Sequence, residues 1–152
     1  MQSTTFNRPL LKLFTLVVCC FIVSSFTTKL GLDSYEIYLN NKLLLKQSVN
    51  QPLSLRKLQL NKTGENDALR IYYRHCHTPN TGTGRSIAVK DEKGRLLKKW
   101  NFPNATGSDQ GMTIPVKELQ QLERTHLRQE LSLCYTAQEL SGEEALAFLH
   151  FK

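Results

Sequence analysis

The 152 residues carry 20 Lys and Arg against 13 Asp and Glu, a formal charge of +7, with 40% hydrophobic side chains and four cysteines. The length suggests one domain and leaves enough chain to bury a sizeable core without a metal or a disulfide. The apolar share excludes a disordered polymer, and the basic excess is too small to assign nucleic acid, lipid or glycan as a partner by charge alone.

The chain opens with a polar stretch containing Arg8, then Lys12, then the uncharged run Leu13 to Phe26, with Ser24 and Ser25 near its end. A cationic start, an apolar middle and small residues at the end form the pattern of a secretory signal. Cleavage is expected after Ser25 or two to three residues later, so that residues 1–25 are a signal peptide and 26–152 a single domain. The apolar run is short for a spanning helix, which needs about 20 residues; an uncleaved anchor is the rival reading. Residues 26–152 keep a net charge of +5, because the first 25 contain two basic residues and no acid.

Ser34 to Leu39 and Lys42 to Lys46 flank Asn40-Asn41. Asn tolerates the left-handed angles of a tight turn, so a hairpin is expected. Leu53 to Leu60 reads as a strand, and the polar stretch from Asn61 to Asp67 as a loop. Ala68 to Cys76 alternates with period two. Leu69, Ile71 and Tyr73 should face inward, Arg70, Tyr72 and Arg74 outward. A loop from His77 to Gly84 follows. Its Thr81-Gly82-Thr83-Gly84-Arg85 lacks the Lys-Ser/Thr ending and the following helix that a phosphate loop needs.

Ser86 to Lys90 and Leu96 to Phe102 form a second expected hairpin around Asp91-Glu92-Lys93-Gly94, with Gly94 supplying a positive φ. Leu96, Trp100 and Phe102 are expected on one face. Met112 to Ile114 is a short strand. Pro115 to Glu123 reads as a short helix, opened by proline and carrying Val116, Leu119 and Leu122 at helical spacing. Leu131 to Thr136 alternates, and Ala145 to Phe151 is apolar on both faces. About eight short strands with turns every 8–12 residues mark an all-β fold. The expectation is a small antiparallel β-sandwich, immunoglobulin-like in architecture, with a small β-barrel as the alternative.

Four constellations could carry function. Cys76 and Cys134 are an even pair in an exported chain, and a disulfide between them is expected if their strands are neighbours. His75 and His77 share one side of a strand end and could hold Zn²⁺ or Cu²⁺ with a distant third ligand such as His126 or His150. Arg70, Tyr72, Arg74, Lys90 and Lys98, with Arg85 and Lys99, could form an outward basic face with an aromatic contact for an acidic glycan or a nucleic acid strand, though ordinary solubilising charge and edge protection is the more common role of such a face. Tyr35, Tyr38, Tyr73, Trp100, Phe102 and Tyr135 read mostly as core. Asn61-Lys62-Thr63 and Asn104-Ala105-Thr106 match the N-glycosylation pattern.

Cys76 is badly placed to share a proton with an adjacent histidine, and no paired carboxylates or nucleophile–base spacing stand out, so an enzyme is not expected. No cofactor is implied. The leading expectation is an exported, secreted or periplasmic, non-enzymatic binding or structural protein of the cell envelope. Its partner would be a protein or an anionic glycan, not nucleic acid. A metal-binding protein using His75 and His77 is the second reading, and a hydrolase the third.

Overall fold

The computed structural model describes residues 31–60, 63–64, 66–79, 81–107, 110–127 and 129–151. The expected signal segment lies outside the described residues. Eleven strands form: β1 Ser34–Leu39, β2 Lys42–Ser48, β3 Lys57–Gln59, β4 Ala68–Arg74, β5 Thr81–Gly82, β6 Ser86–Lys90, β7 Leu96–Asn101, β8 Ala105–Thr106, β9 Met112–Pro115, β10 Leu131–Thr136 and β11 Glu144–His150. One helix, α1, spans Val116–Thr125.

The strands build two principal sheets, ordered β2-β1-β4-β9 and β3-β11-β10-β6-β7, with β5 and β8 as a separate pair. The fold is a small β-sandwich, not a closed barrel. All pairs are antiparallel except β11 with β3, which runs parallel. The alternation of β4 buries Leu69, Ile71 and Tyr73 and turns Arg70, Tyr72 and Arg74 outward. In β1 the same period buries Tyr35 and Ile37. These side chains meet Ile87, Val89, Leu133, Tyr135 and Leu146 of the opposite sheet. Tyr73 stacks on Tyr135 at 4.2 Å between ring centroids, and the Tyr35 hydroxyl donates across the sandwich to the Leu146 carbonyl.

The hairpins follow their turn residues. Asn40 takes φ 54°, and its side chain accepts from the Ala68 amide and donates to Asp67, tying the first hairpin to the start of β4. Gly94 takes φ 75°, and the Asp91 carboxylate receives the Lys93 and Arg95 amides within the second turn. Pro115 precedes α1, which buries Val116 and Leu119.

Three expectations need correction. The segment from Leu53 to Leu60 is not one strand. Leu53–Leu55 forms a 3₁₀ turn and only Lys57–Gln59 pairs. Between them, Arg56 turns inward and donates to the carbonyls of Val49, Gln51 and Ala145 and to Glu144. Second, β4 ends at Arg74, so Cys76 lies beyond it. Third, Leu96 is 56% exposed, because β7 is the outer strand of its sheet.

Candidate functional site: an outward groove on the four-stranded sheet

Register decides which outward side chains become neighbours. Glu36 of β1 lies opposite Tyr72 of β4, Tyr38 opposite Arg70, and Ser34 opposite Arg74. On the other flank Glu36 pairs with Lys46 of β2. A bulge between Ile37 and Tyr38 leaves Leu44 as the extra residue of β2, and such bulges kink the strand and increase its twist. The result is an open groove of about 300 Å³ lined by Glu36, Tyr38, Asn40, Asn41, Arg70, Tyr72 and Arg74.

Within the groove most polar groups are already engaged. The Glu36 carboxylate receives Lys46 Nζ at 2.7 Å, the Tyr38 hydroxyl at 2.9 Å and Arg74 Nη1 at 3.8 Å. The Lys46 hydrogen bond, outweighing partial burial and joined by those from Tyr38 and the charges of Lys46 and Arg74, holds Glu36 below its ordinary range. Donating to that carboxylate pushes the Tyr38 phenol up. Tyr38 and Tyr72 meet edge to face, 5.7 Å apart at 86°.

Arg70 is exposed and has no ion pair among the described residues. Its stem is nonetheless held. A Cβ on Gly111 would come within 2.7 Å of Arg70 Cγ, 2.9 Å of Arg70 Cδ and 2.9 Å of Tyr72 Cζ. Glycine at 111 thus lets the Arg70 stem and the Tyr72 ring lie against the backbone at the β9 side of the sheet. The head group remains available on a fixed stalk.

The expected basic face is therefore divided. Arg70, Tyr72 and Arg74 come together. Lys90 and Lys98 lie on the other sheet, Lys90 paired with Glu143 at 2.7 Å and Lys98 with Glu118 at 3.2 Å. Lys98 also sits 5.8 Å from the Trp100 ring centroid, and the indole N–H donates to Glu118. Arg85, expected outward, is buried and donates to the carbonyls of Pro103 and Gln110.

The expected Cys76–Cys134 disulfide is absent: both are free thiols. Cys134 belongs to the five-stranded sheet, whereas Cys76 lies beyond the end of β4. Cys76 follows β4 and donates its amide to Asp33. Cys134 lies in β10 between Ala88 and Ala145 on the neighbouring strands. Its side chain shares the outer side of that sheet with Ser132 and Lys90. Cys76 lies in a bend beyond β4 and Cys134 is buried within β10, so the two are not cross-strand neighbours. Burial, with a smaller push from Glu143, raises the Cys134 thiol to about 11.

His75 and His77 separate as well. His75 is 4% exposed and sits between Asp33 and the Tyr135 hydroxyl, with ring nitrogens 3.2 and 3.3 Å from them. Asp33 also receives the Tyr73 hydroxyl at 3.1 Å. Burial raises the Tyr135 phenol to about 12 and, with the Asp33 charge beside it, raises Tyr73 further. Glu139 stands 4.0 Å from His75 Nε2 beside this polar cluster, whereas His77 is exposed. Among the described residues no three His, Cys, Asp or Glu side chains are placed to hold a metal ion.

Of the two glycosylation motifs, Asn61-Lys62 lies outside the described residues. Asn104 is exposed, its side-chain oxygen accepting from the Gly84 amide.

Sequence reasoning missed Glu36, Asn40, Asn41 and Gly111, and placed Tyr38 in the core. The alternation of β1 carried a signal for two of them. If Tyr35 and Ile37 face in, Glu36 and Tyr38 face out. Nothing local marked Gly111, whose role depends on side chains of β4.

Among the described residues, no helix is long and apolar enough to cross a membrane. Comparison with protein-family models, curated proteins and solved structures finds no match.

Proposed function

We propose that this chain is an exported, non-enzymatic binding protein of the cell envelope, and that the groove on its four-stranded sheet takes an anionic glycan. The observation that carries this reading is Arg70. It is a cation without an ion pair among the described residues, its stem fixed over Gly111, in an open groove beside two tyrosines. A guanidinium is weakly hydrated and recognises planar anions by paired hydrogen bonds. Tyrosines offer apolar surface with a polar tip, which suits a ligand that is part ring and part hydroxyl. Export rests on the order of charge and apolarity in residues 1–25.

The test is affinity electrophoresis through gels containing an acidic polysaccharide (polygalacturonate) or a neutral one (dextran). Retardation by the acidic gel alone is expected, and its loss in Arg70→Glu. Equal migration in both gels refutes the glycan reading. Recovery of the protein from the exported fraction with an N-terminus near residue 26 tests the export reading, and an intact N-terminus there would indicate an anchor.

A further inference from the structure

We infer that the groove recognises one carboxylated pyranose unit, a hexuronic acid, rather than tracking along a polyanion. This rests on the glycan reading above and narrows it. A volume of about 300 Å³ is at the small end of ligand pockets, which span roughly 300–1,000 Å³. It offers room for one sugar unit between its walls.

The charges point the same way. A polyanion track needs a line of available cations. Here Lys46 is committed to Glu36, and Lys90 and Lys98 are on the other sheet and paired. The groove wall holds two guanidiniums and one carboxylate, and the carboxylate stands 3.8 Å from Arg74. Glu36 faces the same groove, so a compact monoanion meets less repulsion there than a dianionic phosphate.

Glu36 already accepts from Lys46 and Tyr38, so its role is to position Tyr38 and Arg74 rather than to receive a ligand cation. Asn40 is likewise committed, to Asp67 and the Ala68 amide. That assigns the sugar carboxylate to Arg70, ring hydroxyls to the Asn41 amide and the Tyr72 hydroxyl, and the C–H face of the ring to the tyrosine pair. Gly111 is the shape-setting residue. A larger side chain there displaces Arg70 and Tyr72 together.

The experiment titrates the whole chain, by ligand-observed NMR and calorimetry, with free galacturonate, galactose, inorganic sulfate and polygalacturonate. Galacturonate should saturate the protein, with galactose and sulfate weaker by at least about tenfold. Arg70→Lys, a swap at an exposed site, should weaken galacturonate by about tenfold through loss of the paired hydrogen bonds. Gly111→Val should do the same, with its circular dichroism spectrum showing whether the fold is kept. Equal binding of galactose or sulfate, or an unchanged Arg70→Lys, overturns the inference. Binding of the polymer without the free sugar overturns it while leaving the glycan reading standing. Binding of no acidic glycan overturns both.

Discussion

Replacing Arg56 with Met tests how the end of the sandwich is held. Arg56 is 3% exposed. Its guanidinium donates to the carbonyls of Gln51, Val49 and Ala145 and pairs with Glu144 at 3.0 Å. It also lies 5.9 Å from the centroid of the Tyr35 ring, on the opposite sheet. Methionine keeps much of the stem but leaves these acceptors without their donor. Gln51 is exposed and Glu144 half-buried, so water replaces part of what they lose. Val49 and Ala145 are less accessible. At about 1–3 kcal/mol for each buried group left unsatisfied, and about 3–5 for breaking a buried pair, the loss should be about 3 kcal/mol. That is a large fraction of the roughly 5–15 kcal/mol that holds a domain together. Urea denaturation followed by circular dichroism should show a lower midpoint at unchanged slope. Arg56→Lys should recover less than half, since an ammonium lacks the fork that reaches several carbonyls at once. A loss under about 1 kcal/mol for Arg56→Met would refute the assignment of this residue as the clasp between β11 and the turn before β3.

Four further outcomes follow from the geometry. In protein beginning at residue 26, a thiol reagent should modify Cys76 in the native state and Cys134 only after unfolding, because burial raises the Cys134 thiol to about 11; a mass change on reduction would contradict this. Leu133→Ala, at a fully buried position of β10, should cost about 2–5 kcal/mol in denaturant midpoint measurements. Burial tends to raise the Asp91 carboxyl, but the Arg95 and Lys93 amides and the Arg95 guanidinium outweigh it and hold it below its ordinary value. Its contribution is therefore present above the ordinary carboxylate range and lost as pH falls through the lowered value. Asp91→Asn should flatten the acid limb of a stability–pH profile, and an unchanged limb would count against it. Finally, Lys90→Ala and Lys98→Ala should leave retardation in polygalacturonate gels as it was, since both lie on the other sheet.

Local pattern carried the strands whose neighbours are close in sequence. The two hairpins are legible because Asn40 and Gly94 sit where the turns need positive φ. β4 is legible because its burial alternates with period two, and β10 because apolar residues alternate along its sequence. The segment around Arg56 is not, because its conformation is set by carbonyls on either side and by β11 far along the chain. The groove is half legible. Arg70, Tyr72 and Arg74 share one strand face, but their union with Glu36 and Tyr38 depends on the β1–β4 register. The disulfide expectation failed for the same kind of reason. The end of β4 at Arg74, short of Cys76, and the partition of β4 and β10 between two sheets are not written in either strand.

The parallel pairing of β3 with β11 has a consequence for the order of events during synthesis. In its sheet β3 pairs with β11, and Arg56 and Glu144 are 88 residues apart. A ribosome adding about 5–20 residues per second needs roughly 4–18 s to cover that distance. Through that interval residues 57–59 have been made and the strand they dock against has not. The five-stranded sheet lacks its β3–β11 pairing throughout that interval. Moving β11 ahead of β3 by circular permutation should shorten that interval.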